Sequence, residues 1–406
     1  MPPRQARGQP PHPISGPQVD DRSKEESMNP FKLAKGIIFS ALMTVAGAAQ
    51  AATFVYVSNA EDGNIGMYTL EPDGTLQPGP RFDAGKLVMP MSVSPDKRFL
   101  YAALRSKPFT VVTYLIDRKT GALKQLSTAP LAESFPYISI DKTGRYLLGA
   151  SYGGHLVSVN AVGKDGTVSE PMQVIPTARN AHAIITDKTN RYVFAPHLGT
   201  DQIFQFRLDA KTGKLTANTP PVVQMKAMTG PRHIIMSPDN KFAYLLNELV
   251  ASVTTLSLDA KTGLLTEVSS ASALPADSKL VPGAPRGAVG APGQAPRDTS
   301  NDIWASDLHV TPDGRFLYAA ERTSSSIGAF SVDAATGKLT YLSSTPTEKQ
   351  PRGFRIDPKG RYVVVSGEKS DTISVYEIDG ASGALKPLQK YPTGKGSNWV
   401  EIVGFD

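Results

Sequence analysis

Four arginines, two glutamates and one histidine hold matching places in an internal repeat of this chain. Six turn sequences end in a basic residue followed by an aromatic one: Arg98-Phe99, Arg145-Tyr146, Arg191-Tyr192, Lys241-Phe242, Arg315-Phe316 and Arg361-Tyr362. Nine positions before the basic residue stand Met89, Pro136, His182, Arg232, Ser306 and Arg352. Seven positions after it stand Arg105, Tyr152, Leu198, Glu248, Arg322 and Glu368. If the flanking segments are antiparallel strands, the start of the first and the end of the second lie at the same end of the hairpin. His182, Arg232, Arg352, Arg105, Glu248, Arg322 and Glu368 then ring one mouth. Guanidinium groups gathered in this way repel unless carboxylates or a bound anion offset them, and they match phosphate or carboxylate in bidentate geometry. A histidine beside them can act as general base, and an arginine can stabilise an oxyanion. Asn247, His233, Asp307, His309 and His197 lie one to three positions from these registers. Any one of these residues alone is better read as half of a structural ion pair between blades. The group together reads as a binding mouth.

The elements that must position these residues follow from a second signature. Seven turns of the form (Asp, Thr or Ser)-Gly-x-(Leu or Val) carry glycines at 74, 121, 166, 213, 263, 337 and 383, spaced by 47, 45, 47, 50, 74 and 46 residues. A strand-like repeat of roughly 40–50 residues is the length of one four-stranded propeller blade. Turns such as Ser94-Pro95-Asp96 and Thr311-Pro312-Asp313 combine Pro and Asp in hairpin positions, and the aromatic after the basic residue starts a buried strand. The expectation is an all-β fold: a single seven-bladed β-propeller whose inner strands border a central channel. The repeat opens on a second-type strand, Thr53 to Val57, and ends on a spare inner strand, Trp399 to Val403. Pairing these two would complete the first blade and remove open edges. The spacing of 74 marks an insertion at 271–300, rich in Pro, Gly and Ala. It reads as a flexible excursion between blades five and six, either a tolerated surface loop or a lid over the strand bearing Asp307 and His309.

Composition narrows the function classes. The chain has 406 residues, a net charge of +6 and no cysteine. Thiol catalysis, disulfides and cysteine-ligated metals are therefore excluded. The positive charge is mild and no basic run carries interleaved aromatics, so nucleic acid is not an expected partner. The five histidines beyond residue 51 share no metal-ligand spacing, so no metal or other cofactor is expected. No Gly-x-Ser-x-Gly elbow or phosphate loop is present. From Met28 the chain shows two lysines, an apolar run from Gly36 to Ala46 and an Ala-x-Ala ending at Ala51. This pattern predicts a secretory signal peptide over 28–51, with a periplasmic or secreted propeller over 52–406 and no lasting membrane anchor. Residues 1–27 read as an over-extended start ahead of Met28. No apolar stripe calls for an obligate partner, and a monomer is expected.

Several strings are more specific than a propeller turn. Gly230-Pro231-Arg232-His233, Asn247-Glu248, Asp307-Leu308-His309-Val310-Thr311-Pro312-Asp313-Gly314-Arg315, Arg322-Thr323, Gln350-Pro351-Arg352-Gly353-Phe354 and Ile373-Ser374-Val375-Tyr376-Glu377-Ile378 resemble the seven-bladed-propeller type of 6-phosphogluconolactonase. The likeness runs from about Thr53 to the C-terminus. The broader family includes a carboxy-muconate cycloisomerase with a His, Arg, Glu, Arg catalytic pattern, which falls here on His182, Arg232, Glu248 and Arg322. The resemblance implies hydrolysis of a sugar lactone to its open acid without a metal. Arg232 and Arg322, with Arg352, would bind the anionic group and polarise the ring carbonyl. His182 or Glu248 would take a proton from water. His233, Asn247, Asp307, His309 and Glu368 would complete substrate binding. Two alternatives are a non-catalytic periplasmic binding platform and a muconate-type cycloisomerase.

Overall fold

Turn chemistry and alternating burial build the same unit seven times. The computed structural model describes residues 52–286 and 298–405, and the described residues form seven antiparallel four-stranded sheets. Blade five shows the pattern. Its inner strand Pro231–Met236 runs into the Ser-Pro-Asp turn, Phe242–Asn247 returns, and Ser252–Leu258 and Leu265–Ser272 complete the sheet. The three inward strands are mostly buried, whereas the outermost, after a buried Leu265, is exposed or half-buried throughout. That gradient matches sheets that pack face to face around a ring, with only the outer edge in water.

The two sequence signatures meet at the contacts between blades. Gly263, in the outer turn of blade five, has φ +75°, and a Cβ there would lie 2.0 Å from the ring of Tyr192 in blade four. Only glycine fits that left-handed turn at such close approach. The Tyr192 hydroxyl donates to the Lys261 carbonyl at 2.6 Å, and the Arg191 guanidinium lies 5.0 Å from the Tyr192 ring centre. The basic-aromatic pair of one blade thus receives the glycine turn of the next.

The ring closes as expected. The C-terminal strand Ser397–Phe405 is the inner strand of blade one and pairs with Ala52–Asn59, from Ala52 opposite Phe405 to Asn59 opposite Ser397. The insertion departs from its sequence expectation at both described flanks. Ala271 and Ser272 still pair with Val253 and Ser252 as the end of the outer strand, so the excursion starts later. The following arm is tied down: Val281 bridges Asp302, and the Gly283 N–H donates to the Leu249 carbonyl at 2.9 Å. The proposed signal segment lies outside the described residues. No helix among the described residues is long and apolar enough to cross a membrane.

Candidate active site

A β-bulge at the same place in several inner strands delivers the polar side chains. In blade five Pro231 opposes Asn247 and Ile234 opposes Leu245, so Arg232 and His233 together face the single residue Leu246. Blade six repeats this with Ser306 and Asp307, and blade two with Met89 and Pro90. In blade seven Arg352 is the extra residue. A bulge breaks the strict alternation of a strand and re-aims side chains. Here it turns two consecutive residues toward the channel region.

A cavity of about 280 Å³ opens at this level. Ten of its twelve wall residues are the register-matched positions of the repeat: Met89, Arg232 and Arg352 in inner strands, Pro136 and His182 in the segments that lead into the inner strands Tyr137–Ile140 and Ile185–Thr186, and Arg105, Tyr152, Glu248, Arg322 and Glu368 each one residue beyond the end of a returning strand. Leu198 and Ser306 do not line it. The two remaining wall residues, Arg286 and Trp304, belong to the insertion and the segment leading back into the sheet, and the repeat contains no counterpart that would have revealed them.

Glu248 is the hub. Its Oε2 accepts from Arg232 Nε at 2.6 Å and lies 3.1 Å from Arg322 Nη2 and 4.0 Å from His182 Nε2. Its Oε1 accepts from the Trp304 indole N–H at 3.0 Å. Arg322 also donates to the carbonyls of Trp304 and Ala305, both at 3.0 Å, and its guanidinium stacks 3.5 Å from the Trp304 ring centre. Arg232 is fully buried. Burial pulls its pKa down to about 10, with Glu248 opposing that shift, so it stays cationic at neutral pH. Burial likewise holds Arg322 well below the usual guanidinium range, again against Glu248.

His182 is of a different kind. Burial first, and then the neighbouring Arg232 cation, hold it well below the ordinary imidazole range, so it is neutral near pH 7. Its buried Nδ1 has no hydrogen-bond partner. A buried polar atom left unsatisfied beside a cavity is a place where a bound molecule can supply the missing bond.

The other expected substrate-binding residues divide. Arg352 and Glu368 reach the cavity and pair with each other at 3.2 Å. His233 and Asp307 stand behind Arg232. Arg232 Nη1 donates to His233 Nε2 at 2.9 Å, which fixes the other ring nitrogen, Nδ1, as the N–H that donates to Asp307 Oδ1 at 2.9 Å. His309 contacts the second oxygen of Asp307 at 3.1 Å. Burial and Arg232 push His233 down to about 3. Burial alone would raise Asp307, but His309 and His233 hold it well below the carboxylate range. Asn247 does not face the cavity: its amide donates to Ser252 and Thr254 on the adjacent strand, at 3.0 and 2.9 Å. His197 is also remote, bonded to Thr177 and the Ala195 carbonyl and packed on Phe204.

The model of the family described as lactonase, seven-bladed β-propeller, matches residues 54–402. The chain belongs to this family. Two relatives named 6-phosphogluconolactonase, from Pectobacterium carotovorum and Serratia proteamaculans, are 38% and 39% identical over 303 residues, covering 75% of this chain and 84% of each relative. Among solved structures, the periplasmic gluconolactonase of Pseudomonas aeruginosa superposes with a TM-score of 0.75 at 26% identity, covering 88% of this chain and 100% of that one. The propeller lactonase fold therefore spans nearly all of the described residues.

Proposed function

We propose that this protein opens the ring ester of an anionic sugar lactone by adding water, with 6-phosphogluconolactone or a related aldonolactone as substrate. The observation that carries the reading is the Arg232–Glu248–Arg322 cluster set beside a neutral, partly unpartnered His182 in one small cavity. The names of the relatives support the substrate class. Five arginines and two glutamates line the cavity, and this excess of positive charge suits a substrate carrying phosphate or carboxylate.

Both Glu248 oxygens already accept from strong donors, which leaves His182 as the freer proton acceptor. His182 takes a proton from water as the water oxygen attacks the lactone carbonyl carbon. The oxyanion that forms is met by guanidinium N–H groups of Arg232 and Arg322 not used by Glu248. The ring C–O bond then breaks, and the departing alkoxide recovers the proton from His182, leaving the hydroxy acid. His233 and Asp307 hold Arg232 in place through the chain of bonds behind it.

The location follows from two supports: the signal-like sequence over 28–51 and the similarity to an enzyme named periplasmic. We place the propeller, from Ala52, in the periplasm after cleavage. The reading is tested by lactone turnover with the purified propeller, comparing 6-phosphoglucono-1,5-lactone and glucono-1,5-lactone with spontaneous opening in buffer. Acid release faster than buffer supports it, and no acceleration of either lactone overturns it. Sequencing the N-terminus of the exported protein tests location, with Ala52 expected first.

A further inference from the structure

Three of the five arginines around the cavity are committed to carboxylates. Arg232 and Arg322 share Glu248, and Arg352 pairs with Glu368. The other two, Arg105 and Arg286, make no ion pair among the described residues. Arg105, from blade two, donates through Nε to Ser134 Oγ at 3.0 Å and approaches Met89 Sδ at 3.5 Å. Burial, followed by repulsion from Arg352, lowers it to about 10, still cationic near neutrality.

Arg286 comes from the arm between blades five and six and reaches the cavity wall. The Tyr152 hydroxyl of blade three donates to the Arg286 carbonyl at 3.3 Å. On the blade-six side, the Arg286 guanidinium lies 3.1 Å from the centre of the Trp304 ring, which also carries Arg322 at 3.5 Å. Two guanidinium groups cannot share one face at those distances, so the indole is clasped between them. This cation–π contact sets the orientation of Arg286 without neutralising it. Gly283 threads the arm tightly against Ile303, whose carbonyl oxygen would be 2.4 Å from a Cβ there. The arm thus carries a fixed cation to the wall of a cavity whose remaining cations are mostly paired.

We propose that Arg105 and Arg286 form an anion subsite that takes the terminal phosphate or carboxylate of the lactone, apart from the ring ester at His182, Arg232 and Arg322. Both guanidinium groups line the same small cavity and both are repelled by Arg352, so an anionic group bound there offsets that repulsion and gains charge-assisted hydrogen bonds. The identity of the ligand as a sugar acid rests on the lactonase reading. The subsite itself rests on the two unpaired arginines.

Calorimetric binding of three hydroxy acids tests it without requiring turnover: 6-phosphogluconate, glucarate and gluconate, which carry phosphate, carboxylate and hydroxyl at the far end. The full propeller is expected to bind one of the first two at least about tenfold more tightly than gluconate, and the stronger identifies the anion. Arg105→Ala and Arg286→Ala should each reduce that ratio about tenfold, whereas the exposed control Lys119→Ala, which removes the same charge elsewhere, should leave it unchanged. Equal affinity for the three acids, no detectable binding of the charged ones, or a ratio that survives both substitutions overturns the subsite. The two readings fail separately. An inactive protein that selects the charged acid through these arginines retains the subsite and loses the lactonase reading. An active lactonase without selectivity does the reverse.

Discussion

Arg232 Nε and Glu248 Oε2 meet at 2.6 Å in the cavity wall, and the same carboxylate oxygen lies 3.1 Å from Arg322 Nη2. One carboxylate therefore holds two buried guanidinium groups. Removing its charge leaves both cations uncompensated, and breaking a buried pair in this way costs about 3–5 kcal/mol. Glu248→Gln is expected to lower both the melting temperature and turnover. Denaturant unfolding alongside the lactone assay checks this. Unchanged stability would mean that the two arginines are hydrated or paired elsewhere.

His182 is neutral because burial and the Arg232 cation disfavour imidazolium. As the proposed general base it loses activity only when protonated, so the acid limb of the kcat/KM profile should lie below the ordinary imidazole range. Replacing the cation by Arg232→Gln removes a source of repulsion and should move that limb to higher pH in the residual activity. A limb that stays in place would separate His182 from Arg232.

Three buried histidines are held low: His182 well below the ordinary range, His233 at about 3 and His197 at about 4, each chiefly by burial. Their depressed folded-state pKa values mean that the unfolded chain binds more protons once pH falls below about 6.5. Stability contributed by their neutral forms is complete above that pH and is lost as pH falls toward the folded values. His197 alone should remove about 3 kcal/mol by pH 4. Calorimetric melting should be flat above pH 7 and decline steadily from pH 6 to 4. A flat profile through that window would contradict the burial of these rings.

The Asn247 amide bonds within its own blade, to Ser252 and Thr254. Asn247→Ala is expected to cost about 1–2 kcal/mol of stability and to leave the KM for lactone within about twofold. A large rise in KM at full stability would instead place the side chain against substrate.

The blades, the closure of the ring and most of the cavity wall could be read from the repeat, because each turn fixes the register of the strands beside it. Asn247 shows where that reading fails. It sits next to Glu248 in sequence, but it ends the strand Phe242–Asn247 with its amide bonded to Ser252 and Thr254, whereas Glu248 begins the turn beyond, so proximity in sequence does not carry it into the cavity. Successive side chains on a strand point to opposite faces; Arg232 and His233 depart from that alternation because a bulge places both against one opposing residue, and a bulge has no turn signature to announce it. Trp304 and Arg286 lie outside the repeat altogether. Their positions depend on how the insertion folds back over Leu249 and Ile303, a tertiary contact that no periodicity encodes.

The most direct test of the central claim is the kcat/KM of Arg232→Ala relative to the native protein on 6-phosphoglucono-1,5-lactone, measured together with the melting temperature of each. Arg322 remains to pair with Glu248 in this variant, so most of the stability should survive. The lactonase account predicts a loss of about 10²–10³ in kcat/KM, the scale of removing one oxyanion donor, with only a modest fall in melting temperature. Turnover that persists, or that falls only in step with stability, would contradict the assignment of catalysis to this cavity.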